Sequence, residues 1–298
     1  MKNQYTTDII DYGKYSLLRA FAEAGITIGV NWYLTEDDGS SDGKSTQYLD
    51  QAEKMRQYDP VVFDALKGIN EYKQKSIKDI QKSGILPGAF YYEKLLSPIG
   101  KPKERAAWRN QWFEASVDAL REVDLVFMDP DNGLLESGDA RKLHAEKYVL
   151  PEEVERYFRE GHNVVYYCHK GRRSLWDWID YISLMFNKIS DALPAVLTFQ
   201  KGSRSSYVFL IHKESYMKFQ KILELIKRSW WNIFIEEYTN KGDIAGTAMG
   251  EPFVVTKADG TTITVQKRID GQIEIRSSKN KNSFMVMTAE DFCRHLGV

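Results

Sequence analysis

The sequence predicts an α/β protein with a doubly wound, mainly parallel sheet that closes in an antiparallel hairpin. Helical and strand patterns alternate over residues 8–238, which is typical of a parallel sheet covered by helices on both faces. Leu125–Met128 is an entirely apolar run, as expected for a strand buried on both sides. Only residues 200–206 separate two late strands. This connection is too short for a parallel crossover, so these two strands are expected to pair as a hairpin.

The elements of the main domain follow from local signals. Residues 8–24 predict a helix because their apolar side chains recur near helical spacing, and Gly25 is a natural stop. Residues 26–34 are rich in β-forming residues and predict the first strand. Further helices are predicted at residues 46–58, 60–82, 106–123, 151–161, 176–190 and 215–231. Further strands are predicted at residues 88–96, 125–128, 162–169, 195–199, 207–212 and 234–238.

A small β-rich unit is predicted to follow the main domain. Residues 1–240 form the predicted α/β domain, and residues 241–250 are rich in glycine and small residues, which is typical of a linker. Residues 251–298 contain short β-forming stretches and a final helical pattern at residues 288–296, which predict a β-meander with one helix. A unit of this size buries little surface by itself, so we expect it to dock on the main domain or on a protein partner.

Composition and charge narrow the functional classes. The chain has 298 residues, of which 43% are hydrophobic and 28% charged, as in ordinary globular proteins. A formal net charge of −1 does not favour general attraction to nucleic acid or membranes, so nucleic-acid binding would need local basic loops. The two cysteines are far apart in sequence, which argues against a disulfide scaffold or a zinc module. Because neither a signal peptide nor a membrane-spanning run is evident, we expect a cytoplasmic protein without membrane contact.

The most informative stretch is the polar turn after the apolar strand at residues 125–128. It begins with Asp129-Pro-Asp-Asn-Gly133, in which proline and Asn-Gly force the backbone into a turn. Two carboxylates and an amide therefore lie at the carboxyl end of a buried strand, where open α/β sheets bind ligands. The candidate catalytic residues are Asp129, Asp131, Asn132 and Glu136. The alternative is that they only end the strand, since Asp and Asn are common turn residues.

A second candidate segment is the acidic loop at residues 35–44, which follows the first predicted strand. It has neither the GxGxxG pattern nor a Walker sequence. Its carboxylates Asp37, Asp38 and Asp42 suit hydroxyls, amines or a hard metal ion better than phosphate. The alternative is an ordinary solvated acidic loop. No group of His and Cys residues has the spacing of metal ligands.

These motifs resemble those of a known family. An α/β domain with an Asp-Pro strand end and a closing antiparallel hairpin resembles the class I S-adenosylmethionine-dependent methyltransferases. Within that class it is similar to the bacterial adenine-N6 methyltransferase of large-subunit ribosomal RNA and to the three-cysteine-motif partner proteins. Both have a lysine-bearing first helix, matched by Asp11-Tyr-Gly-Lys14, and Asp-Pro after a central strand, matched by Asp129-Pro130. The tract Asp129–Leu134, with the later Lys147-Tyr-Val, also resembles a family of uncharacterised bacterial proteins.

The resemblance implies a Rossmann-like domain that binds S-adenosylmethionine and methylates a nucleic-acid base or a related amine. Asp129 is then expected to orient the target amine, with help from Asn132. The residues implied near the cofactor are Lys14, Asn31, Tyr33, Asp37, Asp38, Asp42 and Lys44. The residues implied near the substrate lie close to strand-end loops: Lys147, His169, Lys170, Arg172, Arg173, Lys201 and Arg204.

Two features depart from the family pattern. Amino-methyltransferases of this class read Asp-Pro-Pro-Tyr, whose aromatic residue stacks on the flipped base, whereas Asp131-Asn132 stands at that place here. The glycine-rich loop after the first strand is replaced by a sequence that begins with Asn31-Trp-Tyr. The resemblance therefore fits the fold more closely than the chemistry.

Two other functions stay open on the sequence. Asp129 or Asp131, followed by Glu146-Lys147, is loosely similar to the Asp…Glu-x-Lys arrangement of many nucleases. In that arrangement the carboxylates bind Mg²⁺ and the lysine positions water or stabilises charge. The other function is a non-catalytic binding or effector role on a methyltransferase-like fold, with the C-terminal unit as an adaptor for a protein partner.

Overall fold

Helices and strands alternate through the main domain. The computed structural model describes residues 1–40, 43–97, 100–173, 175–199, 201, 205–230, 234–238, 248–256, 260–268, 272–279, 285–288 and 292. Its helices are α1 (Ile9–Glu23), α2 (Ala52–Met55), α3 (Pro60–Asn70), α4 (Ile77–Ser83), α5 (Pro102–Ala119), α6 (Pro151–Arg159), α7 (Leu175–Lys188) and α8 (Lys213–Trp230). Its strands are β1 (Ile28–Asn31), β2 (Phe90–Tyr92), β3 (Leu125–Met128), β4 (Gly133–Leu134), β5 (Tyr148–Val149), β6 (Asn163–His169), β7 (Leu193–Phe199), β8 (Ser205–Ile211), β9 (Phe234–Tyr238), β10 (Ala248–Thr256), β11 (Thr262–Arg268), β12 (Ile273–Ser277) and β13 (Met285–Met287).

Several elements are shorter than the sequence pattern predicts. Residues 60–82 form α3 and α4 instead of one helix, and residues 46–58 contain a 3-10 turn followed by the four-residue α2. The chain restarts at α4 because the Asp79 carboxylate accepts a hydrogen bond from the backbone N–H of Ser76 at 2.8 Å, which stabilises a new helix start. Strand β2 covers only the middle of residues 88–96. The pair β4–β5 has no sequence signal, since two residues are too few to show a period.

The α/β class is confirmed by the main sheet. Among the described residues it has seven strands in the order β2-β1-β3-β6-β8-β7-β9. Strands β2, β1, β3 and β6 are parallel neighbours, whereas β8 runs antiparallel to both β6 and β7. The predicted late hairpin is therefore confirmed as β7–β8. The chain adds β2 on one side of β1 and then adds β3 on the other side. The topological switch point, where the order of strands reverses, therefore lies between β1 and β3.

The hydrophobic core lies on both faces of this sheet. On one face, buried side chains of α1, α3, α4 and α8 pack together, with Tyr12 and Phe219 as examples. On the other face, α5, α6 and α7 contribute the buried rings of Trp112, Tyr157 and Trp178. Burying both faces explains why β3 reads as a continuous apolar run.

The C-terminal residues form a separate antiparallel sheet in the order β10-β11-β12-β13. Strand β10 begins at Ala248, inside the stretch predicted as a linker, while residues 241–247 and most of the predicted helix at 288–296 lie outside the described residues. The sheet packs on α7, where the Ser277 hydroxyl donates to the Asp180 carboxylate at 2.6 Å. Ile263 and Ile275 join the core of that face. The unit thus contacts the main domain on the side of α7.

Candidate functional site

A cavity of about 470 Å³ opens at the carboxyl edge of the sheet, next to the ends of β3 and β6. This is the edge at which open α/β sheets bind their ligands, and the volume is in the usual range for small-molecule pockets. The turn after β3, the end of β6, the start of α1 and the N-terminal segment all contribute to its wall. The lining residues are Met1, Tyr5, Asp8, Ile9, Ile10, Asp11, Lys14, Gly43, Ser45, Asp129, Pro130, Asp131, Asn132, Tyr167 and His169.

A buried ion triad between α1 and β3 contributes to the wall of the cavity. The Lys14 ammonium lies 2.9 Å from Asp11 Oδ1 and 2.8 Å from Asp129 Oδ2, and the three side chains are at most 4% exposed. Asp11 and Lys14 are three residues apart, so they share one face of the helix. Burial raises the pKa of Asp11 to about 6 although Lys14 opposes the shift. Burial alone would lower the pKa of Lys14, but Asp11 and Asp129 together raise it. The triad therefore holds Asp129 in one orientation.

One oxygen of Asp129 is left for a ligand. Its Oδ2 accepts the hydrogen bond from Lys14, and within the described part of the chain its Oδ1 makes no hydrogen bond. The carboxylate lines the cavity together with the Asn132 side chain. Asp129 and Asn132, the catalytic candidates, and Lys14, which the resemblance implies near the cofactor, thus line one cavity.

Asp131 faces the N-terminal segment. Its carboxylate lies 2.8 Å from the amino group of Met1 and 3.9 Å from the Lys2 ammonium. The Met1 amino group also donates to the carbonyl oxygens of Tyr33 at 3.1 Å and Asp129 at 3.0 Å. Because these carbonyls follow β1 and β3, the segment occupies the crevice at the switch point. No sequence pattern indicates this contact.

The acidic loop after β1 also binds the N-terminal segment. The backbone N–H of Gln4 donates to Asp37 at 3.0 Å, and the Gln4 side chain donates to Asp38 at 3.0 Å. Lys2 forms an ion pair with Asp38, and hydrogen bonds from Lys2 and Ser40 hold the pKa of that carboxyl well below its usual range. The structure thus does not bring Asp37 and Asp38 to the cavity. Lys44 is exposed beside it, and Asp42 lies outside the described residues.

Asn31 and Tyr33 are placed in the core instead of the cavity. Both are fully buried. The Asn31 amide donates to the Tyr157 hydroxyl at 3.1 Å, and the Tyr33 hydroxyl donates to the Glu153 carboxylate at 2.9 Å. A positive φ of 43° at Tyr33 turns the chain toward this face. Arg109 completes the network with two hydrogen bonds to Glu153, at 2.7 and 2.9 Å. Their contacts indicate a structural role in joining β1 to α5 and α6.

Apart from His169, the remaining predicted residues that the structure describes, including the catalytic candidate Glu136, do not line the cavity. Glu136 lies 3.3 Å from Arg173, whose guanidinium lies 3.9 Å from the centre of the Tyr181 ring. Arg172 is exposed on the same loop. Arg204 lies outside the described residues, and Lys201 lines a different surface groove.

The residues of the nuclease alternative are not assembled at this cavity. Glu146 lines a separate small cavity with Arg105 and Arg109. The backbone carbonyl of Lys147 accepts a hydrogen bond from Asn132 N–H at 2.9 Å, but Lys147 does not line the cavity that holds Asp129. The geometry therefore gives no support to a shared site for Asp129, Glu146 and Lys147.

The lining of the cavity carries an excess of negative charge. Among its described residues are four carboxylates, from Asp8, Asp11, Asp129 and Asp131, and two ammonium groups, from Lys14 and Met1. Burial and the nearby Arg173 lower the pKa of His169 below its usual value, so the imidazole is neutral at neutral pH. Such a lining attracts a cationic ligand and repels a phosphate.

Asp8 and Tyr167 line the cavity although neither is among the site residues predicted from the sequence. Asp8 caps α1 by accepting the backbone N–H of Ile10 at 3.0 Å, and it also accepts the N–H of Ser45 at 2.9 Å. An Asp just before an apolar helix is a recognisable cap, so its place could be predicted. Tyr167 lies inside an apolar strand and has no sequence signal for a site.

Among the described residues, no group of three or more His, Cys, Asp and Glu side chains is arranged to hold a metal ion. No helix within those residues has the length and apolar character needed to cross a membrane. Neither the protein-family models nor the curated proteins that were compared with this chain match it. Its function is therefore inferred from the geometry of the site.

Proposed function

We propose that the protein is an S-adenosylmethionine-dependent methyltransferase that acts on an amine of a nucleic-acid base or a related compound. The observation that carries this proposal is the negatively charged cavity at the Asp129-Pro130 end of β3. S-adenosylmethionine carries a sulfonium and an ammonium group. These cations are attracted by the carboxylates of the lining, whereas a phosphate-bearing cofactor would be repelled. The doubly wound sheet with its late antiparallel hairpin is in keeping with the fold that the resemblance implies.

The chain itself supplies binding and orientation. Asp8 and Asp131 are the carboxylates of the lining that would hold the cationic groups of the cofactor, in addition to the backbone N–H groups that Asp8 accepts and the Met1 amino group paired with Asp131. When bound, the cofactor supplies an activated methyl group. Asp129 Oδ1 can accept an N–H of the target amine, because Lys14 fixes the other oxygen. This contact orients the nitrogen lone pair, which is a positioning effect.

Asp129→Asn tests this role. The change keeps the size of the side chain and removes the charged acceptor, so transfer of labelled methyl groups to single-stranded RNA or DNA oligonucleotides should fall by about 100-fold or more. The binding of S-adenosylmethionine should persist, because Asp8 and Asp131 remain. Asp118→Asn is the matched control, since Asp118 is exposed on α5 and does not line the cavity. Unchanged transfer by a folded Asp129→Asn protein would contradict the role of Asp129.

A second candidate is a non-catalytic binding protein on the same fold. One observation favours it: the N-terminal segment occupies the crevice between β1 and β3, with Met1 bonded to the carbonyls of Tyr33 and Asp129. A protein of this kind would bind neither S-adenosylmethionine nor S-adenosylhomocysteine while remaining folded. Calorimetric titration with both compounds separates the two proposals.

A further inference from the structure

His169 is the one imidazole that lines the cavity among the described residues. It is the last residue of β6 and pairs with Ser205 of β8, so the sheet holds its backbone at the carboxyl edge. Within the part of the chain that the structure describes, its ring makes no hydrogen bond. Gly171 follows in a left-handed conformation with φ of 57° and brings no side chain against the ring. The sheet therefore fixes the backbone of His169, while its ring nitrogens make no hydrogen bond to the described residues.

We propose that His169 is the proton acceptor of this site. This inference rests on the proposed function and adds a second role beside that of Asp129. The amine nitrogen of the substrate forms the new N–C bond with its lone pair as the C–S bond breaks, and the electron pair of the C–S bond stays on sulfur. The N–H proton of the methylated amine passes to the unprotonated ring nitrogen of His169 and from there to water. A neutral imidazole suits this task because its lone pair is free at neutral pH.

The charges around His169 define how the rate depends on pH. Burial and the positive charge of Arg173 lower the pKa of His169. The imidazole is active in its unprotonated form, so the rate should rise with pH through a pKa below about 6.5 and then level off. Asp11, with a pKa of about 6, titrates in the same range and must be distinguished from His169. The other ionisable groups of the lining are Met1, Tyr5, Asp8, Lys14, Asp129, Asp131 and Tyr167.

The test uses His169→Ala and chemical rescue. We expect kcat for methyl transfer to oligonucleotide acceptors to fall by about 100-fold, the usual scale of general base catalysis, with an unchanged KM for the acceptor. Added imidazole should restore much of the rate, because the truncation leaves room next to the cavity. The restored rate should follow the free-base fraction of the added compound, so 4-methylimidazole should shift the pH profile toward its own higher pKa. His144→Asn is the matched control, because His144 is exposed outside the cavity.

Two readouts do not depend on turnover. Calorimetry should give the same affinity for S-adenosylmethionine in wild type and His169→Ala within about twofold, because His169 acts on the amine of the substrate and not on the cofactor. NMR of imidazole nitrogens in the wild-type protein should show His169 neutral at about pH 7. A protonated His169 under these conditions would overturn the inference.

The remaining outcomes separate the inference from the proposed function. A wild-type protein that binds no S-adenosylmethionine would overturn both. Methyl transfer that is unaffected by His169→Ala would overturn only the inference. A pH profile that keeps its acidic limb in that variant would also overturn it, and would assign the limb to Asp11. A loss of rate that no imidazole restores would also overturn it, since His169 would then have a structural part.

Discussion

Lys14→Met tests whether the charge balance of the buried triad stabilises the fold. The Lys14 ammonium is the cation that contacts both Asp11 and Asp129, at 2.9 and 2.8 Å, and all three side chains are nearly excluded from water. Methionine keeps most of the volume of the stem but leaves two buried carboxylates without their partner. Removing one member of a buried ion pair costs about 3–5 kcal/mol. We therefore expect a loss of this size in the free energy of unfolding at about pH 8.

The loss should depend on pH in a defined direction. Burial raises the pKa of Asp11 to about 6, above its unfolded value of about 4, and the loss of Lys14, which opposes this shift, should raise it further. A group with a raised pKa stabilises the protein when protonated and loses that contribution as pH rises through the folded pKa. The penalty should thus be smaller at about pH 5 than at about pH 8, by about 1.4 kcal/mol for each unit by which the loss of Lys14 raises the pKa of Asp11 within this range.

Urea denaturation followed by tryptophan fluorescence at both pH values measures the effect. Lys67→Met is the control, because Lys67 is exposed on α3, and it should change the free energy by less than about 0.5 kcal/mol. A cost for Lys14→Met that is the same at both pH values, or that is no larger than the control, would refute the view that Lys14 balances two buried charges.

Two further predictions concern the turn after β3 and the buried ion pair between α5 and α6. Gly133→Ala should destabilise the protein by about 2–4 kcal/mol, because φ is 101° and an added Cβ would lie 2.7 Å from Cys168 Cβ. Gly161→Ala, with a φ of 96° but open space around it, should show only the backbone cost of about 1–2 kcal/mol; equal losses in thermal denaturation would contradict the packing contact. Arg109→Met should cost about 3–5 kcal/mol, and adding Glu153→Gln should recover part of this loss. A double variant that is no more stable than Arg109→Met alone would show that the buried charge of Glu153 is not the cause.

The strand-end motif shows what the sequence predicts well. The apolar run at residues 125–128 coincides with β3, and the turn that follows it lines a cavity at the expected edge of the sheet. Both results follow from local chemistry, since burial on both faces selects apolar residues and Pro-Asp-Asn-Gly ends the strand. Lys14 and His169, which the resemblance and the strand end indicate, line the same cavity.

The residues after β1 show what the sequence does not predict. Asn31 and Tyr33 also stand at a strand end, yet their side chains enter the core. Tyr33 has a positive φ, which is rare for tyrosine and which no local sequence pattern indicates, so this placement could not be predicted. Asp37 and Asp38 bind Gln4 and Lys2, more than 30 positions away in the chain. Such pairings depend on how the N-terminal segment crosses the sheet edge, which neither periodicity nor spacing contains.

The most direct measurement is calorimetric titration of the purified protein with S-adenosylmethionine and, separately, with S-adenosylhomocysteine. The two compounds differ at the sulfur, which is cationic only in the methyl donor, and the cavity has more carboxylates than ammonium groups. We expect both to bind, with the methyl donor tighter by about tenfold, or about 1.4 kcal/mol, which lies between the energy of a charge pair in bulk water (about 1 kcal/mol) and near a protein surface (about 4 kcal/mol). Binding of neither compound to the folded protein would contradict the proposed function. Equal or tighter binding of S-adenosylhomocysteine would contradict the electrostatic basis on which the proposal rests.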